Sequence, residues 1–99
     1  MTEKHTVDLD DDGVLRVSGS SNTSKLAAAI AHAVYKGKRP SLRAVGAGAV
    51  NQAVKALAVA QSFVASRAIV LSFRVGFSTV SMPDDQTVTA LVINVLVDD

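Results

Sequence analysis

The sequence predicts an α/β fold, a two-layer sandwich in the order β-α-β-α-β-β, with a four-stranded mixed sheet and two helices on one face. Three observations predict it. Two stretches with apolar residues at helical spacing each follow a short alternating stretch in the first two thirds of the chain. Two period-two runs, joined by Met82-Pro83-Asp84-Asp85-Gln86, then complete it as a hairpin. Finally, two helices suffice to cover only one face of four strands, so the other face stays open.

Residues 1–12 are polar and acidic without a sustained period, and they read as a leader expected to be partly disordered. Residues 13–99 read as one domain, long enough for a single modest core. The first strand, 14–18, puts Leu15 and Val17 on one face and Arg16 and Ser18 on the other. Gly19-Ser20-Ser21-Asn22-Thr23-Ser24 is a loop whose Ser and Asn side chains can cap the helix that follows over 24–35. Leu26, Ile30, Ala33 and Val34 form the buried stripe of that helix, Lys25, His32 and Lys36 lie opposite, and Gly37 and Pro40 end it.

The second strand, 41–45, turns Leu42 and Ala44 toward the helices and Arg43 away. Gly46 and Gly48 permit a tight turn and a close backbone approach, and the N–H groups at the helix start are placed to face an anion such as phosphate. The second helix runs to about residue 65, with Val50, Val54 and Leu57 expected in the core and Asn51, Gln52 and Lys55 on another side. Over 69–77, Ile69, Leu71, Phe73, Val75 and Phe77 alternate with Val70, Ser72, Arg74 and Gly76, so the first set is expected to be buried. The last strand, 87–97, carries Leu91, Ile93, Val95 and Val97 on one side and Asn94 on the other. The open face should then display Arg16, Arg43 and Arg74 among Val45, Val70, Val88, Val92 and Leu96, too apolar for a purely solvated surface.

Composition narrows the function classes. The absence of cysteine removes disulfides, thiolate nucleophiles and cysteine metal sites. No apolar run resembles a signal peptide or reaches the roughly 18 residues of a membrane span, so no membrane partner is expected and the cytoplasm is the expected location. Alanine and valine dominate the 48% hydrophobic content, with one Tyr and three Phe, so the helices bury little area per side chain. A homodimer or higher homo-oligomer is expected to complete the core. The net charge of +1 hides a segregation: residues 13–83 hold nine basic residues and no acidic one. An acidic partner fits this balance, and nucleic acid is the commonest such polymer.

Catalytic chemistry finds little footing. Gly46-x-Gly48 has Asn51 where a dinucleotide fingerprint needs its third glycine, and no acidic ribose ligand follows about 20 residues later. His5 and His32 have no carboxylate or cysteine neighbours in sequence, and no Ser-His-Asp arrangement is recognisable. No catalytic residue, metal site or cofactor is assigned, and the chain is not expected to be an enzyme.

Ala44-Val45-Gly46-Ala47-Gly48-Ala49-Val50-Asn51-Gln52-Ala53-Val54-Lys55-Ala56, with an Ala/Val-rich helix ending near Phe63, closely resembles the signature of the stage V sporulation protein S family, and the match extends from Leu15 to Val97. That family is related to the Alba proteins, small dimeric chromatin or RNA binders, and the resemblance implies an Alba-like fold; Arg74-Val75-Gly76 is a second Alba-like feature. The chain has Gly19-Ser20-Ser21 where Alba proteins carry a lysine pair, Gly46 and Gly48 where they carry arginines, and Asp84 and Asp85 at the hairpin tip. The resemblance therefore implies a nucleic-acid-binding regulator of DNA or RNA acting through Lys25, Asn51, Gln52, Lys55 and Arg74, with Lys36, Lys38, Arg39 and Arg43 as a secondary basic patch. Asn51 and Gln52 read equally well as helix-start caps or dimer hydrogen bonds. The alternative function is a protein-interaction or assembly module that uses the open sheet face and binds no nucleic acid.

Overall fold

The computed structural model describes residues 13–98; the acidic leader expected at 1–12 and Asp99 lie outside the described residues. The expected element order is observed: β1 Val14–Val17, α1 Thr23–Tyr35, β2 Ser41–Ala44, α2 Ala47–Ala65, β3 Val70–Ser81 and β4 Thr87–Asp98. The sheet order is β1-β2-β4-β3, with β1 parallel to β2 and β4 antiparallel to both its neighbours. Two crossovers of the same hand that advance in the same direction across a sheet leave their helices on one face. Accordingly α1 and α2 pack together, and α2 contacts β1, β2 and β3.

Local chemistry ends each element. The Asn22 side chain accepts from the Lys25 N–H at 2.9 Å and caps α1. At its other end Gly37, with φ +79°, takes the left-handed conformation, and the Gly37 and Lys38 N–H groups return to the Val34 and Ala33 carbonyls at 2.9 Å each. α2 starts at Gly46, φ +90°, a backbone that any side chain would strain. It ends through Ala68, φ +59°, whose N–H reaches the Ala65 carbonyl at 2.9 Å. The hairpin turns with the Asp85 N–H on the Met82 carbonyl, 3.1 Å, and Asp85 itself at φ +67°.

The core lies between helices and sheet. Leu15 and Val17, Leu42 and Ala44, Ile93 and Val95 meet Leu26, Ile30 and Val34 of α1 and a line of small residues from α2. That line corrects the expectation for the second helix. Ala49, Ala53, Ala56, Leu57, Ala60 and Val64 are buried, Val50 is half-buried, and Val54 is 55% exposed. Leu57 is buried as expected, and the alanines let α2 approach α1 and the sheet closely, which leaves Val54 on the flank.

The second correction concerns β3. Leu71 is buried and Ile69 half-buried, but Phe73, Val75 and Phe77 are 40%, 62% and 74% exposed. β3 and β4 have 12 residues each against four in β1 and β2, so the hairpin runs past the helical layer. Its strand also continues four residues beyond the expected end at 77, to Ser81. The Gln61 amide fixes where coverage stops, donating to the Ile69 carbonyl at 3.0 Å and accepting from the Leu71 N–H at 2.7 Å.

Candidate nucleic-acid interface

The parallel strands β1 and β2 deliver both helices with their N-termini at the same end of the sheet. The two connecting loops touch there. A Cβ placed on Gly48 would lie 3.5 Å from the Gly19 Cα, and one on Gly19 would lie 3.7 Å from the Gly48 carbonyl carbon. Gln52 secures the contact: its Nε2 donates to the Ser21 carbonyl at 2.8 Å and to the Thr23 Oγ1 at 3.1 Å. The Gln52 amide thus bridges from the second helix to the start of the first. The Ser18 N–H donates to the Ser21 Oγ at 2.9 Å, which shapes the serine-rich loop.

Gly46 offers no side chain to the start of α2, and the Val50 N–H is the first to find a helical carbonyl, that of Gly46 at 3.0 Å. The preceding N–H groups carry the positive end of a 19-residue helix. Asn51 and Lys55 follow at a spacing of four, both exposed on one outer face of α2, and Lys25 is exposed in the first turn of α1. This end of the molecule thus brings together Lys25, Asn51, Gln52 and Lys55, with Gln52 in a supporting position.

Arg74 lies elsewhere. It sits on the opposite face of the sheet, in a row that crosses all four strands as Val14, Ser41, Asn94 and Arg74. The adjacent row reads Arg16, Arg43, Val92 and Gly76. The secondary patch divides in the same way: Arg43 belongs to this open face, whereas Lys36, Lys38 and Arg39 follow the C-terminal end of α1, where cations meet the negative end of the helix.

Arg67 has a role that sequence reasoning left unassigned. Its guanidinium stacks over the Tyr35 ring, 4.0 Å from the centroid, while the Tyr35 hydroxyl donates to the Phe63 carbonyl at 3.1 Å. Together they clamp the C-terminal ends of α1 and α2. No local signal could have found a pair so far apart in the chain.

Acidic groups are few on the described surface. Asp84 and Asp85 occupy the hairpin tip, and Asp98 accepts from the Ser72 Oγ at 2.8 Å. Among the described residues no cluster of three or more His, Cys, Asp or Glu side chains could hold a metal ion, and no helix is long and apolar enough to cross a membrane. A family model described as Stage V sporulation protein S matches residues 13–98.

Proposed function

The chain belongs to the stage V sporulation protein S family, and on that premise we propose that this sporulation-related protein is a nucleic-acid-binding regulator that works in the cytoplasm as a homodimer. Phosphates are met first at the shared helix-start end, by Lys25, Lys55 and the uncapped N–H groups of α2. Asn51 stands one turn from Lys55, where its amide can reach a phosphate or a base edge. The observation that carries the reading is the one-signed charge: nine basic residues and no acidic one between residues 13 and 83, spread over both layers.

Dimerisation is supported by the apolar surface that the helices leave uncovered. Gln61 and Val54 are seven residues apart and share a flank of α2, and Gln61 is fastened to the start of β3. Val54, Phe73, Val75 and Phe77 are all exposed, and a second copy seated on this side removes them from water. Pairing two copies there also doubles the number of phosphate contacts available to one nucleic acid.

The test is an electrophoretic titration of the full chain with duplex DNA, single-stranded DNA and RNA at two salt concentrations. Binding that weakens steeply with salt supports the reading, because each phosphate contact releases condensed counterions. If no nucleic acid binds at low salt, the assembly-module reading, with the open sheet face as a subunit contact, replaces it.

A further inference from the structure

The open face of the sheet holds like charges side by side. Arg16 and Arg43 are register partners on neighbouring strands, which are about 4.8 Å apart. Like charges at this spacing repel, and an anion near Arg43 offsets that cost. Arg43 is half-buried, and neither it nor Arg74 makes an ion pair with any described residue. Val70 is exposed, and Val92 and Leu96 are half-buried on the same face, so its occupant must be both acidic and apolar.

We propose that this face is the docking surface for the chain's own residues 7–12, which hold it against external polyanions. The second half of that statement rests on the nucleic-acid reading above, and the first half does not. The segment reads Val7-Asp8-Leu9-Asp10-Asp11-Asp12, four carboxylates with two apolar side chains at alternate positions. It precedes the residues that the family model matches, so the device belongs to this chain and not to the matched domain. It also joins the sheet at the right place. Gly13, with φ +76°, leads into Val14, the first member of the row that ends at Arg74. Three strand spacings make that row roughly 14 Å long. Five extended residues span roughly 17 Å, so 8–12 can cross the whole face. A tether this short gives an effective concentration on the order of millimolar, enough for a few screened charge pairs to hold.

The other occupants fit less well. A second copy of the same face would set arginines against arginines. A single-stranded nucleic acid can meet Arg43 and Arg74 with its phosphates but finds no aromatic platform, because Phe73 and Phe77 point to the other side of the sheet, so the tethered segment outcompetes it.

Nuclear magnetic resonance of the arginine Nε–Hε groups in the full chain tests the docking. Replacing Asp8, Asp10, Asp11 and Asp12 together by Asn should shift the signals of Arg43 and Arg74 and leave that of Arg67, held on Tyr35, in place. Unmoved Arg43 and Arg74 signals would overturn the proposal, and so would shifts that depend on protein concentration, which assign the contact to a neighbouring copy. In parallel, the four-Asn variant should bind a single-stranded oligonucleotide about tenfold more tightly at low salt, with the gain lost near 1 M salt, where screening extends over only about 3 Å. Shifted signals with unchanged affinity would remove the competition and keep the docking. If no variant binds the oligonucleotide, the nucleic-acid reading fails, and the arginine signals alone decide whether the segment docks.

Discussion

Ala68 occupies a backbone conformation, φ +59°, that costs a side-chain-bearing residue roughly 1–2 kcal/mol relative to the right-handed region. Ala68→Gly should therefore stabilise the fold by about 1 kcal/mol despite the added chain entropy, read as a higher midpoint in thermal or denaturant unfolding. Gly46→Ala is the opposite case, because φ there is +90°, and it should cost about 1 kcal/mol or more. At the same scale, Lys25→Ala and Lys55→Ala should each lower the magnitude of the salt slope for duplex DNA by roughly 0.9 and weaken all sequences alike. Lys55 is exposed, so the unfolding free energy of Lys55→Ala should stay within about 0.5 kcal/mol of the parent. An unchanged salt slope in both variants would move the phosphate contacts to Lys36, Lys38 and Arg39.

Elements were legible wherever period and punctuation agreed. α1 shows Leu26, Ile30 and Val34 buried between an Asn22 cap and a Gly37 stop, and both ends lie within one residue of the sequence reading. α2 shows what periodicity leaves open. Two apolar stripes overlap on it, one of alanines with Leu57 and Val64 and one of Val50 and Val54. The second drew the expected core past Leu57, which is buried as expected, to Val54, which is exposed. Which stripe is buried depends on how closely the neighbouring elements approach, and alanine permits the closer approach. The same flank carries Gln61, the residue that ties α2 to β3. Gln61→Ala leaves the Leu71 N–H and the Ile69 carbonyl without their partner in a half-buried place. The expected loss is about 1–3 kcal/mol in denaturant unfolding, with faster amide exchange concentrated at Leu71.

For the whole molecule, the decisive feature is the apolar surface that two helices cannot reach. Val75→Asp combined with Phe77→Asp should convert the proposed dimer to a folded monomer in sedimentation, because both side chains already face solvent in the single chain. Its circular dichroism should match that of the parent. A parent chain that sediments as a monomer at tens of micromolar would remove the dimer from the functional proposal. The long dimension of the molecule, 46 Å, accords with a hairpin of two 12-residue strands that outruns strands of four residues.

The order of elements, the open face with its three arginines and the one-signed central charge were all determined by the sequence itself, because each follows from local period, turn chemistry or simple charge. Two things waited for the tertiary structure: the exposure of Phe73, Val75 and Phe77, and the stacking of Arg67 on Tyr35. The reason is physical. Alternation tells which side chains share a face, but coverage of that face depends on the relative lengths of other elements. Which cation meets which ring likewise depends on how helix ends distant in the chain pack together.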